Sequence, residues 1–189
     1  MPISAINFTN LISVKNYDIL KEKGKNMCKY YLYTDGSCRK NGSSAAVGAW
    51  GYVIWDEQKE NTLCSCAQVE HNTTNQRMEL MAAIEGCTAA YKLITNPFDE
   101  VHLYTDSAYL HNCINQKWYE KWRINGWINS KKETVANRDL WEQLIEFFED
   151  PQIIFHKTKA HCDDKYNNYI DFIVQTLTEI EVKTNGSYN

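Results

Sequence analysis

The sequence contains no apolar run that approaches the ~18 residues needed to cross a bilayer, and no secretory signal pattern opens it. It also lacks the cysteine spacing of a zinc site: its seven cysteines cannot all pair, and Cys64-Ser65-Cys66 is not a zinc-knuckle arrangement. Internal repeats and low-complexity tracts are missing as well. These absences argue against a membrane-spanning or repeat protein, and they favour a protein of the cytosol or nucleus whose thiols are reduced and mostly buried.

The formal net charge of −4 over 189 residues excludes a protein that is basic throughout, although it leaves room for a local basic patch. An apolar fraction of 43% is typical of a globular chain rather than a disordered one. The sequence therefore predicts one domain, residues 28–182, preceded by a partly ordered extension (1–27) and followed by a flexible tail (183–189).

Hydrophobic periodicity predicts strands and helices in a mixed order along the chain. Three strands come first, which favours an antiparallel meander, and later strands alternate with helices. We therefore expect an α/β fold with a mixed five-stranded sheet, three antiparallel strands and then two parallel ones, covered by helices. The predicted strands are 29–34, 47–56, 62–69, 101–105 and 153–155; the predicted helices are one after 71–75 with a buried stripe at Leu80, Ile84, Cys87, Tyr91 and Ile94, then 107–114, 139–148 and 166–180.

Three aspartates occupy positions that packing alone explains poorly. Asp35 follows the apolar run 30–33, where the first strand is expected to end, and Asp106 follows the run 101–104 in the same manner. Asp171 lies inside the most apolar part of the last helix, where a carboxylate is costly unless it is paired, binds a metal or faces a cleft. These positions are better suited to chemistry than to packing.

A fourth carboxylate, Glu79, lies one turn into the first long helix. Its ordinary explanation is the preference of acids for the first turn of a helix, and Asp106 has an ordinary explanation as a helix N-cap. If the four acids converge, their mutual repulsion requires a divalent cation. Hard oxygen ligands favour Mg²⁺ or Mn²⁺ over zinc in such a site.

At this point four motifs, in order over residues 28–180, resemble those of type 1 ribonuclease H. The resemblance implies a ribonuclease H-like fold and endonucleolytic hydrolysis of the RNA strand of RNA–DNA hybrids, leaving 5′-phosphate and 3′-hydroxyl ends. It implies a metal-binding acidic quartet (Asp35, Glu79, Asp106 and Asp171) and a catalytic loop histidine, His161. The motifs are Thr34-Asp35-Gly36-Ser37, Arg77-Met78-Glu79-Leu80, Thr105-Asp106-Ser107, and Lys159-Ala160-His161 with Asp171 behind it.

Phosphodiester hydrolysis needs an activated water and a stabilised leaving oxygen, and two Mg²⁺ ions about 4 Å apart, or Mn²⁺ in their place, can serve both ends. We expect Asp35 to bridge the ions and Asp106 to hold the ion on the water side. His161 would move protons or help the product to leave; its ordinary explanation is a solvent-exposed loop histidine. The loop departs from the family pattern, because Ala160 and the run 162–164 stand where glycines commonly flank the histidine.

The segment 117–138, called here the basic segment, carries six basic residues against two acidic ones in a chain that is acidic overall. Three tryptophans interleave with these charges. The pattern resembles the basic protrusion of the bacterial enzymes and predicts a clamp on the duplex, with Trp118, Lys121, Trp122 and Arg123 as substrate contacts. The alternative is a helix anchored by tryptophans whose basic side is merely solvated.

Other polar residues match substrate contacts of the family. Three amide side chains resemble the readers of 2′-hydroxyls and base edges in the minor groove, and two residues match positions near a DNA phosphate. Ordinary explanations exist for most of them, as turn residues or helix caps. The readers are Asn41, Asn75 and Gln76, the phosphate neighbours are Thr74 and Asn137, and the turn that lets substrate approach consists of Gly36 and Ser37.

Three alternatives to this interpretation stay open. A catalytically silent hybrid-binding module would not need an intact quartet. The chain could also be the ribonuclease H portion of a larger reverse transcriptase, or a related fold with transposase or Holliday-junction activity, which would not require the pair Asn75-Gln76. In the leading interpretation the partner is an RNA–DNA hybrid duplex, no membrane is involved, and a monomer acts in the cytoplasm.

Overall fold

The computed structural model describes residues 27–158 and 164–186, with side chains described up to residue 184. These residues form a five-stranded sheet with five helices around it. The strands are β1 (Lys29–Arg39), β2 (Val47–Trp55), β3 (Thr62–His71), β4 (Glu100–Thr105) and β5 (Ile153–Lys157); the helices are α1 (Asn75–Tyr91), α2 (Ala108–Asn115), α3 (Trp118–Ile124), α4 (Arg138–Phe148) and α5 (Lys165–Gly186).

The sheet has the order β3-β2-β1-β4-β5, so β1 is the central strand. The first three strands pair antiparallel, whereas β1 with β4 and β4 with β5 pair parallel. The predicted mixed α/β sheet is therefore confirmed. Among the described residues, no helix has the length and apolarity that a bilayer span requires.

The first strand is longer than its sequence suggests, and the expectation that it ends at Asp35 is wrong. Its parallel pairing with β4 stops at Tyr33, opposite Tyr104, but its antiparallel pairing with β2 continues to Arg39, opposite Val47. Asp35 therefore lies within β1, at the level where β4 has already ended. An apolar run reports burial, whereas the last residues of β1 are held by backbone pairing, which the side-chain pattern does not reveal.

Helices cover both faces of the sheet. On one face, α1 packs on β1, β2 and α4, and the main core there includes Leu32, Leu103 and Trp141, all essentially inaccessible to solvent. On the other face, α5 crosses β1, β2 and β3, and a smaller cluster forms around Tyr33 and Ile170. The predicted helical stripe is confirmed at Leu80, Ile84 and Cys87, which are buried, but Tyr91 at the end of α1 is 37% exposed and Ile94 lies beyond the helix.

Two glycines allow the helices to approach the sheet closely. A Cβ at Gly36 would lie 2.5 Å from the carbonyl carbon of Met78, at the start of α1. A Cβ at Gly51 would lie 2.9 Å from Val174 and 3.0 Å from Ile170, both on α5. Since Gly51 pairs with Asp35 across β1 and β2, both approaches occur beside the same carboxylate.

We predict that Gly36→Ala destabilises the fold by about 3 kcal/mol, because the added methyl group meets backbone atoms of α1 that cannot rotate away. Gly42→Ala is the matched control: it has open space around it and costs about 1 kcal/mol for the left-handed backbone at φ +77. Chemical denaturation of both variants measures the difference. Equal losses of unfolding free energy would contradict the tight packing of Gly36 on α1.

Candidate active site

Asp35 and Asp106 come from the two central parallel strands. Asp35 is 8% exposed, and strand alternation places it on the same face as Tyr33, which is the face that α5 covers. Asp106 follows the last residue of β4 and is half-buried. Next to it, the hydroxyl of Ser107 accepts the backbone N–H of Leu110 at 3.2 Å, so the chain turns at once into α2.

Glu79 comes from the first turns of α1, whose start is fixed by a side-chain cap. The hydroxyl of Thr74 accepts the backbone N–H of Arg77 at 3.2 Å. The carboxylate of Glu79 accepts hydrogen bonds from the amide of Asn75 at 2.9 Å and from the hydroxyl of Ser107. Because Ser107 follows Asp106 directly, this second bond ties α1 to the end of β4.

Asp171 comes from α5 and is half-buried. Its neighbours Ile170 and Val174 are buried against the sheet beside Gly51, which fixes the height of Asp171 over β1. The amide of Gln175, one turn further along α5, donates a hydrogen bond to its carboxylate. A neutral amide therefore holds this carboxylate rather than a cationic side chain.

The four carboxylates act on one another electrostatically. Burial is the main cause that raises the pKa of Asp35 to about 8, and the negative charges of Asp106, Asp171 and Glu79 raise it further, against a smaller opposing effect of the backbone N–H of Gly36. Burial and the charge of Asp106 also raise the pKa of Glu79, while its hydrogen bonds from Ser107 and Asn75 lower it. The other three members of the predicted quartet therefore lie near enough to Asp35 for their charges to affect its pKa.

The chemistry of these four carboxylates suits a divalent cation, although their side chains do not form a complete coordination shell. Among residues 27–158 and 164–186, no three His, Cys, Asp or Glu side chains already converge as a metal site. The donors are nevertheless all carboxylate oxygens, the ligands that Mg²⁺ and Mn²⁺ prefer. A buried carboxylate whose pKa is raised by three others would be stabilised in its charged form by such a cation.

The histidine predicted from the last loop, His161, lies outside the described residues together with its neighbours from Lys159 to Asp163, so its role stays a prediction. Asp164 is described, and its role is structural. Its carboxylate accepts the backbone N–H groups of Tyr166 at 3.0 Å and Asn167 at 3.3 Å, which caps the start of α5.

The predicted minor-groove readers meet at the start of α1. The side-chain oxygen of Asn41, in the exposed loop after β1, accepts the backbone N–H of Asn75 at 3.1 Å. Gln76 is exposed beside them, and Gly36 and Ser37 continue β1 directly from Asp35. Because Asn75 also donates to Glu79, these candidate contacts adjoin the acidic quartet.

The predicted phosphate neighbours, Thr74 and Asn137, are linked through Arg77, the first residue of the motif that contains Glu79. The guanidinium of Arg77 reaches the side-chain oxygen of Asn137 at 3.5 Å and makes a two-pronged ion pair with Asp139 at 2.7 and 3.1 Å. Thr74 caps the turn that carries Arg77. The start of α4 is thereby held against the start of α1.

The tryptophans of the basic segment anchor it to the domain. Trp127 is buried, and Trp122 packs between Trp127 and Trp141, with ring centroids 6.0 and 5.6 Å away. Trp118 contacts Trp122 at 6.3 Å and is half-buried. The rings therefore anchor the segment to the domain, as the alternative interpretation predicts, although Trp118 and Trp122 keep part of their surface exposed to solvent.

The six cations of this segment fall into two groups. Lys117, Arg123 and Arg138 are paired with Glu120, Glu149 and Glu142, respectively. The others, Lys121, Lys131 and Lys132, are exposed and make no ion pair with any residue of the described ranges. Within the segment, and among the residues that the structure describes, this second group carries the charge that no carboxylate neutralises.

Sequence reasoning missed two side chains that hold the quartet, Ser107 and Gln175. Ser107 was visible as the residue after Asp106, and Gln175 as the residue four positions after Asp171, which shares its helix face. The sequence positions of these two residues do not indicate which polar group each side chain contacts.

Comparison with known proteins agrees with this geometry. A family model described as RNase H matches residues 27–179. A protein named Ribonuclease H from Syntrophomonas wolfei is 44% identical over 147 residues, 77% of this chain and 92% of its own length. Another protein of that name, from Clostridium botulinum, is 40% identical over 146 residues, with the same two shares.

Solved structures show the same fold. The chain resembles LC9-RNase H1, described as a type 1 RNase H with the type 2 active-site motif, with a TM-score of 0.65 at 22% identity, over 82% of this chain and 74% of that one. The N-terminal RNase H domain of a Mycobacterium tuberculosis protein matches with a TM-score of 0.64 at 18% identity, over 84% and 99% of the two chains.

We predict that Asp35→Asn stabilises the metal-free protein at pH 8 but not near pH 4. Unfolded Asp ionises near pH ~4, whereas folded Asp35 keeps its proton up to about pH 8, so the wild type loses stability as the pH rises between these values. The Asn variant escapes this loss. Thermal unfolding in a chelator across this pH range measures the difference.

The control for this experiment is Glu57→Gln, which removes an exposed carboxylate of the β2–β3 turn and should leave the pH profile unchanged. Adding Mg²⁺ should raise the melting temperature of the wild type and reduce the advantage of Asp35→Asn. A wild-type profile parallel to that of the Asn variant from pH 4 to 8 would show that Asp35 is not held among the other acids.

Proposed function

Since the chain belongs to the ribonuclease H family of endoribonucleases, which hydrolyse the RNA strand of RNA–DNA hybrids, we propose that it does so with two divalent metal ions and leaves 5′-phosphate and 3′-hydroxyl ends. The relatives from Clostridium botulinum and Syntrophomonas wolfei, at 40% and 44% identity, are both named Ribonuclease H, which favours a ribonuclease H of this kind over the corresponding portion of a reverse transcriptase. The observation that carries the proposal is that the charges of Asp106, Asp171 and Glu79 all act on the buried carboxyl of Asp35 and raise its pKa.

The quartet of Asp35, Glu79, Asp106 and Asp171 would hold the ions. Members of this family generally use divalent metal ions. Bound there, Mg²⁺ or Mn²⁺ supplies an activated water and stabilises the leaving oxygen. The chain's own contribution is placement, because β1, β4, α1 and α5 fix the four carboxylates before substrate arrives.

The neighbouring polar groups position both the acids and the substrate. Ser107 and Asn75 hold Glu79, and Gln175 holds Asp171, so these carboxylates keep their orientation while the charge around them changes. Asn75 is in turn linked to Asn41. We assign the pair, with Gln76, to the 2′-hydroxyls of the RNA strand, and Thr74 and Asn137 to a phosphate of the DNA strand. His161 would move protons or assist product release.

We further propose that the protein works as a monomer in the cytoplasm. All four carboxylates of the candidate site come from a single chain, so a second copy is not needed to complete it. The relatives at 40% identity and above come from bacteria, which suits a cytoplasmic enzyme.

A cleavage assay tests the function directly. With Mg²⁺ the protein should cut the RNA strand of a hybrid and leave RNA duplex and DNA duplex of the same sequence intact; Asp106→Asn should lower kcat by at least about 10²-fold, because one metal ligand is lost. Labelled products identify the end groups. Cleavage of the DNA duplex, or full activity in a chelator, would contradict the proposal, and hybrid binding without cleavage would favour the silent module.

Another prediction concerns the basic segment. Replacing Lys121, Lys131 and Lys132 together with Gln should raise KM for the hybrid, leave kcat nearly unchanged and reduce the slope of log KM against log salt by about three, since each lysine that meets a phosphate contributes about one. Lys117→Gln is the control from the same segment, because Glu120 already neutralises that charge. An unaltered KM in the triple variant would show that the segment does not clamp the duplex.

A further inference from the structure

A cleft lies between α2 and the edge strand β5, beside the acidic quartet but separate from it. Its volume is about 320 Å³, part of which is open to solvent. We call it the α2–β5 cleft. It is lined by Thr105 at the end of β4, by three residues of α2 and by three residues of β5: Thr105, His111, Ile114, Asn115, Phe155, His156 and Lys157.

The polar lining of this cleft suits an anion. Its side chains include one lysine, one histidine and an amide, and no carboxylate, since the ring of His156 stacks on Tyr104 on the opposite face of the sheet. Lys157 is exposed and makes no ion pair with a residue in the described part of the chain. The amide of Asn115 lies 2.7 Å from a ring nitrogen of His111, which keeps these two polar groups together on the α2 wall.

The ring of His156 contacts side chains of the neighbouring strand β4. A ring nitrogen of His156 lies 2.9 Å from a ring nitrogen of His102 on β4, and the other ring nitrogen of His102 lies 3.1 Å from the carboxylate of Glu100. The ring of His156 also stacks on Tyr104, with centroids 4.6 Å apart. These contacts lie on the opposite face of β5 from Phe155, so Lys157, which shares the face of Phe155, is the polar side chain that β5 contributes to the cleft.

The cleft adjoins the quartet through the backbone. Thr105, which lines it, immediately precedes Asp106, and its carbonyl oxygen accepts the backbone N–H of Thr158 at 2.9 Å. A nucleic-acid strand with one phosphate at the quartet must place neighbouring phosphates within a few residues of that point. The acidic quartet repels those phosphates, whereas Lys157 attracts them.

We propose that the α2–β5 cleft binds a backbone phosphate of the RNA strand close to the scissile position, with Lys157 as its charged ligand and His111 and Asn115 as hydrogen-bond donors. This inference rests on the proposed function, since it takes the strand at the quartet to be RNA. The cleft then fixes the position of the RNA strand, while the cations of the basic segment attract the duplex as a whole.

The test combines Lys157→Gln with hybrids that carry one uncharged methylphosphonate at successive positions of the RNA strand. Wild-type protein should lose several-fold in kcat/KM at one position outside the scissile phosphate, and Lys157→Gln should show no further loss at that position. On unmodified hybrid, the same variant should reduce the slope of log KM against log salt by about one. Lys157→Arg should restore both values, and Lys92→Gln, on an exposed lysine just after α1, should behave as wild type.

Each outcome decides the inference. Equal sensitivity of wild type and Lys157→Gln at every methylphosphonate position overturns it while leaving hybrid cleavage, and so the proposed function, intact. Competition by inorganic phosphate that depends on Lys157, without any positional effect in the RNA strand, also overturns it and identifies a site for free anions. If neither protein cleaves hybrid, the proposed function fails and the inference fails with it.

Discussion

The burial of Asp35 among three other carboxylates is the constraint on which the rest of the structure depends. A buried acid whose pKa lies near 8 opposes folding at neutral pH, and the charges of its neighbours increase that cost. The surrounding fold must therefore supply stability from elsewhere, and the large apolar core under α1, together with the smaller cluster under α5, does so. A divalent cation converts the same repulsion into binding energy, which is why an arrangement unfavourable for folding suits a metal-dependent nuclease.

The acids lie near one another because the pairing of β1 with β4 ends earlier along β1 than its pairing with β2. Pairing of β1 with β4 stops at Tyr33, and the space above that level is occupied by Asp35, by the chain that leaves β4 at Asp106, and by the two helices. Each helix comes close because a side chain is missing from the sheet: Gly36 admits the start of α1, and Gly51 admits α5. The strand ends thus set where the site lies, and the two glycines set how near the helical acids come.

Much of this could be predicted from the sequence, because strands, helices and motif residues leave local patterns. What could not be predicted depends on contacts between distant segments. The last residues of β1 are held by β2 rather than by their own apolar pattern, and the bond from Ser107 to Glu79 joins residues 28 positions apart. The tryptophan spacing of the basic segment was compatible with either an anchor or a substrate contact. Only the packing of Trp122 against Trp141 shows that anchoring occupies much of these rings.

The placement of the basic residues follows from the presence of the acidic quartet. A polyanionic substrate must approach four carboxylates, so attraction has to come from cations placed around them rather than within them. Lys121, Lys131 and Lys132 are suited to this because no carboxylate of the described chain pairs with them, whereas Arg77 is held by Asp139 and serves to fix α4 against α1. Ion-paired cations stabilise the structure and contribute little to the field outside it. Counting basic residues therefore overstates the charge available to a substrate, and the proposed clamp depends on the unpaired lysines.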